Sequence, residues 1–152
     1  MQVQGIMSAQ VVTIGTGESC LDAVVRMQRV RGRHLPVVDR DGTLVGIVTD
    51  RDLRHHLFSP SVFEKLGSTR VDVLLDRVRV AQIMSTRVVT ASPDMSLTAA
   101  AAIMRRERVG ALPVLEAGRV VGIVTETDLL RHVAIVDGAS PPECAEIIVS
   151  YP

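Results

Sequence analysis

Ile6-Met7-Ser8-Ala9-Gln10-Val11-Val12-Thr13 returns as Ile83-Met84-Ser85-Thr86-Arg87-Val88-Val89-Thr90, 77 positions later. Carried from residue 6 to residue 40, the same offset preserves 14 of 35 residues, and after a one-residue gap residues 42–53 match 118–129 at 8 of 12. Agreement sustained over so long a run marks a duplication, so the 152-residue chain is organised as two copies of one unit.

Both copies share one local grammar. A short β-branched run (Val11–Thr13, Val88–Thr90) is followed by polar turn residues and then by Ser19 or Ser96 in an N-cap position. Beyond the cap, Cys20, Ala23, Val24 and Met27 recur at helical spacing, as do Leu97, Ala100, Ala101 and Met104. Two short apolar runs come next, Leu35–Val38 with Leu44–Val48 and Leu112–Leu115 with Val120–Val124, each pair joined through a glycine turn at Asp41-Gly42 or Ala117-Gly118. Each hairpin closes on Thr-x-x-Asp and enters another apolar-periodic segment, which predicts β-α-β-β-α twice, an α/β (α+β) fold.

A unit of about 50 residues is too small to hold a core alone. The copies are therefore expected to pack through their sheets about a pseudo-twofold axis. The expected layout is a first repeat at 1–57, a partly helical linker at 58–80, a second repeat at 81–135 and a tail at 136–152 with no element assigned.

Seventeen Lys+Arg balance seventeen Asp+Glu, so no polycationic face for nucleic acid is expected. Lys65 is the single lysine and sits in the polar linker, away from any phosphate-loop pattern. Cys20 and Cys144 lie far apart without CxxC pairing, and no stretch reaches the roughly 18 to 20 apolar residues of a membrane span. Together with the absence of a signal-like start, this predicts a cytoplasmic protein with no membrane association. None of GxxxxGK[ST], HExxH or GxSxG occurs, so the expectation is a binder and not an enzyme.

Two such units, each opening on Met-Ser-x-x-Val-Val-Thr, carrying Leu-Pro-Val and closing on Val-Gly-Ile-Val-Thr-x-x-Asp, resemble a tandem pair of cystathionine β-synthase (CBS) domains, a Bateman module, over most of residues 1–135. The resemblance implies two clefts between the repeats for adenosine-containing ligands, AMP, ADP, ATP or S-adenosylmethionine. It also implies a regulatory role toward a protein partner, in a chain that is commonly a homodimer.

Thr49 with Asp52, and Thr125 with Asp128, are the main candidates, and they admit two readings. Ser/Thr-x-x-acid at a helix start is a capping box. The box favours the longer Glu or Gln in fourth place, whereas both copies carry Asp. An ionised carboxylate is also a pure acceptor suited to the two hydroxyls of a ribose diol. Arg51 and Thr127 stand between the members of each pair, where helix N–H groups can receive a phosphate.

By resemblance, adenine is expected against Ile47, Val109 and Gly110 in the cleft of Asp52, and against Ile123 and Gly32 in that of Asp128. Ala9 and Val11, or Thr86 and Val88, would close the pockets. Arg33 and His34 are replaced by Gly110 and Ala111 in the second copy, so the clefts should differ. The expectation is that Arg33, His34 and Arg51 serve a phosphate in the Asp52 cleft, leaving the Asp128 cleft without a cation. His56 aligns with His132, a pairing that duplication and helix-end dipoles explain without a metal. The competing function is a dimeric scaffold whose clefts hold no ligand.

Overall fold

Ser19 and Ser96 start the first helix of each copy, as their N-cap spacing predicts. The Ser19 hydroxyl accepts from the Asp22 N–H at 3.1 Å, and that of Ser96 accepts from the Ala99 N–H at 3.1 Å. The computed structural model describes residues 1–57 and 70–136; the first part of the linker, with Lys65, and the tail after Val136 lie outside the described residues.

The first copy contributes β1 (Ile14–Gly15), α1 (Cys20–Val30), β2 (His34–Val38), β3 (Leu44–Thr49) and α2 (Asp50–Leu57). After α3 (Val71–Arg77), the second contributes α4 (Leu97–Glu107), β4 (Ala111–Glu116), β5 (Arg119–Thr125) and α5 (Glu126–Val136). Within the first sheet β1 runs parallel to β2, and β2 is antiparallel to β3; β4 and β5 form the matching hairpin. The hairpins turn on residues with positive φ, Gly42 (81°) in one and Ala117 with Gly118 (47° and 78°) in the other.

Two sequence expectations are corrected. Val11–Thr13 and Val88–Thr90 are not strands: pairing begins one residue later, at Ile14 opposite Val37, and in the second copy shrinks to a single bridge between Ala91 and Val114. In the first copy the reason is visible, since Val11 and Val12 border an open cleft and meet no strand edge. Ala101 is exposed and does not join the apolar face of α4, which buries Ala100 and Met104 and packs Leu97 and Ile103. Both of these first helices end in a left-handed arginine, Arg31 (φ 50°) and Arg108 (φ 56°), a conformation the sequence does not advertise because glycine is its usual occupant.

The copies are interlocked by exchanged arms. Residues ahead of the first strand of the first repeat pair with the second: the Val3 N–H donates to the Met95 carbonyl at 2.8 Å, the Ser8 N–H donates to the Ile123 carbonyl at 2.9 Å, and Val3 is fully buried beside Ala100 and Val124. Residues ahead of the second copy do the same for the first, with the Val80 N–H donating to the Glu18 carbonyl, the Ser85 N–H donating to that of Ile47, and Leu75 and Val80 inside the first core. Burying one such valine contributes about 1.5–3 kcal/mol. Each core is thus completed by chain that precedes the other copy.

The same exchange explains the glycine in Val-Gly-Ile-Val. A Cβ on Gly122 would collide with Met7 Sδ, and one on Gly46 would stand 2.6 Å from Met84 Sδ and 3.1 Å from the Ser85 carbonyl oxygen. Met-Ser and Val-Gly-Ile are therefore one packing unit split across the two copies.

Candidate functional site

The turn from β5 into α5 is built by a capping box. The Thr125 N–H and hydroxyl both donate to Asp128 Oδ2, at 2.9 and 2.7 Å, and the Asp128 N–H donates back to Thr125 Oγ1 at 3.3 Å. Thr49 and Asp52 reproduce it between β3 and α2 at 2.8, 2.7 and 3.2 Å. So do Ser19 and Asp22 at the start of α1, at 2.9, 2.8 and 3.1 Å. The argument that Asp in the fourth place disfavours a cap therefore fails, because this chain uses Asp for the purpose three times.

The cap occupies one carboxylate oxygen only. Asp128 Oδ1 lies outside it, with Arg131 Nη1 3.5 Å away, and the side chain is 13% exposed. An acceptor held rigidly by its sister oxygen is pre-oriented, which is what recognition of a diol requires.

Around this carboxylate lies a cleft of about 360 Å³, within the usual range for small-ligand sites. Its walls are Ser8, Val11 and Val12 from the exchanged arm, Gly32, Arg33 and His34 from the α1–β2 turn, Ile123 from β5, and Thr125, Thr127 and Asp128 from the start of α5. Gly110, Arg31, Glu126 and Arg131 also border it. Three features of the chain thus meet in one place: the arm exchange brings Val11, the left-handed end of α1 brings Arg31 and Arg33, and the cap brings Asp128.

The placement corrects the expected asymmetry. Arg33 and His34 line the cleft of Asp128, so the acid expected to lack cations shares its cleft with three arginines, Arg31, Arg33 and Arg131, the last 3.5 Å from its Oδ1. The physical reason is the pseudo-twofold: the residue before one copy's central hairpin faces the other copy's closing helix. Gly110, expected with Asp52, likewise borders the Asp128 cleft, and Ala9 stands exposed outside its walls. Arg31 and Arg131 were beyond sequence reasoning, the first because its contribution depends on a left-handed backbone, the second because it is defined only by the turn of α5.

The remaining candidates do not line the Asp128 cleft. Ile47 is half-buried and bridges Ser85, Val109 packs on the second core, Val88 is half-buried and Thr86 exposed. Arg51 and Asp52 share an open depression with Arg54 and His55, all from α2.

His34 is the titratable group inside the cleft. Burial pushes its imidazole below the ordinary range, Arg33 adds to this, and Asp50, Glu126 and Asp52 pull it back up. Burial thus favours the neutral form of the ring. Among the described residues no group of three His, Cys, Asp or Glu could hold a metal ion. Nor, among them, is any helix long and apolar enough to cross a membrane.

A repeat that completes its partner's core and shares a capped cleft with it defines a class, and comparison with known proteins gives the same answer. The CBS domain family matches residues 3–59 and 80–135. The chain belongs to the CBS domain family, as a tandem pair. It is 38% identical to a CBS domain-containing protein of Dictyostelium discoideum over 93% of this chain and 97% of that one. Among solved structures it resembles the CBS domain pair of protein MJ0100, in complex with 5′-methylthioadenosine and S-adenosyl-L-methionine, at 28% identity and a TM-score of 0.72, covering 90% of this chain and 98% of that one. It also resembles protein MJ1225 of Methanocaldococcus jannaschii at 34% identity and a TM-score of 0.77, covering 88% of this chain and 48% of that one.

Proposed function

We propose that this chain is a non-catalytic regulatory module that binds an adenosine-containing ligand, an adenine nucleotide or S-adenosylmethionine, in the Asp128 cleft, and passes its occupancy to a protein partner. The observation that carries the reading is the Oδ1 of Asp128, left outside the cap with Arg131 3.5 Å away, at the wall of a cleft lined also by Ile123, Gly32 and three arginines. The carboxylate would accept from the ribose hydroxyls, the apolar wall would face the base, and the cations would meet a phosphate. Support comes also from the MJ0100 domain pair, a relative of the same fold solved with two adenosyl ligands. Exposed Leu130, Val133, Ile135 and Val136 on α5 support a contact surface for a second copy or a partner.

A second reading has its own observation. Because Asp52 and Asp128 are both accounted for as caps, they need no ligand to explain them, and the module would then be a dimeric scaffold.

A thermal-shift panel of AMP, ADP, ATP and S-adenosylmethionine separates the two. A ligand at a hundredfold excess over its Kd stabilises by about 2.7 kcal/mol, or roughly 5 to 10 °C for a chain of this size. The sensor is expected to respond, and Asp128→Ala to lose the response. A flat profile across the panel would establish the scaffold.

A further inference from the structure

His34 opens β2 at the point where the two closing helices converge. Its Nε2 lies 3.4 Å from the position a Cβ on Gly110 would take, and Glu126 Oε2 lies 3.5 Å from that same position. The glycine that replaces Arg33 in the second copy thus leaves the space beside which the imidazole stands. Charges act on the ring from three elements, Arg33 after α1, Asp50 and Asp52 at the start of α2, and Glu126 at the start of α5, while Arg31, Asp128 and Arg131 line the same cleft. The backbone frame is firm on both sides, since the Asp50 N–H donates to the Arg33 carbonyl at 3.1 Å and the Glu126 N–H donates to that of Gly110 at 3.0 Å.

We infer that His34 is a specificity residue that takes up a proton with the ligand: a phosphate entering the Asp128 cleft binds together with one H⁺ drawn from solvent onto the His34 imidazole. This rests on the function proposed above and narrows it to phosphorylated adenosyl ligands. A phosphate carries about −1.5 to −2 charge at pH 7. Bringing that charge beside a neutral, half-buried imidazole favours the imidazolium. The same step turns a ring nitrogen from an acceptor, which repels a phosphate oxygen, into a donor. S-adenosylmethionine sets a sulfonium and an ammonium against a single carboxylate, so its net charge is positive, it offers less gain from an imidazolium, and the arginines lining the cleft disfavour it.

The test is calorimetric titration of the full chain with AMP and with S-adenosylmethionine at pH 7.4, in buffers of different ionisation enthalpy. Near this pH the nucleotide is already largely a dianion and contributes little proton exchange of its own. Proton linkage predicts uptake of about 0.5 to 1 H⁺ per AMP and an AMP affinity falling by up to about tenfold per pH unit above the free imidazole's pKa, levelling off as the loaded imidazole titrates. S-adenosylmethionine is expected to bind more weakly and without uptake. His34→Asn, which retains a donor and an acceptor but cannot titrate, is expected to abolish the AMP uptake and flatten the pH profile, with far-UV circular dichroism reporting its fold. AMP binding without uptake in the wild-type chain overturns the inference and leaves the proposed function intact, and so does uptake that survives in His34→Asn. Binding of neither ligand overturns both.

Discussion

The start of α1 and the start of α5 are chemically the same device in different company. At each, a hydroxyl residue and an aspartate three positions on exchange the same three hydrogen bonds within about 0.2 Å. Asp22 stands on the exposed face of its helix, and its neighbours are the residues of an N-terminus finished off; Asp128 is mostly covered and borders a cleft with Ile123, Gly32 and three arginines. A local motif therefore does not make a site. What distinguishes the two is the exchanged arm and the opposite copy's helix end, which surround one carboxylate and not the other.

The strongest way to break this contrast is to remove the acids one at a time and read ligand affinity. Asp128→Ala is expected to weaken adenylate binding by roughly 10- to 100-fold, the scale of hydrogen bonds to a charged group, whereas Asp22→Ala should leave it within about twofold. Equal losses, measured by calorimetry, would place the effect in general stability and remove the special status of the α5 cap.

The exchange itself can be tested next. Gly46→Ala meets both a methionine and a backbone carbonyl, so it should destabilise by about 2–3 kcal/mol, at the upper end for overpacking. Gly122→Ala has the Met7 side chain as its nearest neighbour and should cost about 1 kcal/mol, most of it recovered on trimming Met7 to Ala in the double variant. Urea midpoints read both, and the reverse order would show that the second copy's arm is the less yielding one.

As caps, the three aspartates should behave alike: Asp22→Ala, Asp52→Ala and Asp128→Ala are each expected to lose about 1 kcal/mol in ligand-free urea unfolding. A markedly smaller loss at Asp128 would mean that its carboxylate is strained toward the cleft.

The smallest effect is on acid stability. The Ser19 hydrogen bonds hold the Asp22 carboxyl below its ordinary value of 3.8. A carboxyl depressed on folding adds stability that is present above the unfolded pKa and is lost as pH falls through the folded one. Because Asp22 is exposed, the contribution is small, and the gap between wild type and Asp22→Ala should narrow below about pH 4. A gap that stayed constant to pH 2.5 would assign the loss to packing.

Much of this was legible in the chain. Ser19 and Ser96 marked the helix starts, Asp41-Gly42 and Ala117-Gly118 marked the hairpins, and the recurrence of Met-Ser and Val-Gly-Ile identified the repeat, because caps, turns and duplication are written in residue types at short spacing. The strand assigned to Val11–Thr13 was misplaced since a β-branched run signals extended backbone whether or not a partner edge exists. The cation balance between clefts was reversed for a different reason: sequence order puts Arg33 and His34 in the copy of Asp52, and only the pseudo-twofold crossing carries them to Asp128.

By itself, then, the sequence determined the family, the order of elements and the capped acids, since each depends on interactions among residues a few positions apart. The tertiary structure alone decided which arm completes which core, which acid has a cleft beside it and which arginines surround it. Those contacts join residues from about 40 to 115 positions apart, where the direction of approach is set by the packing of two copies and not by any spacing along the chain.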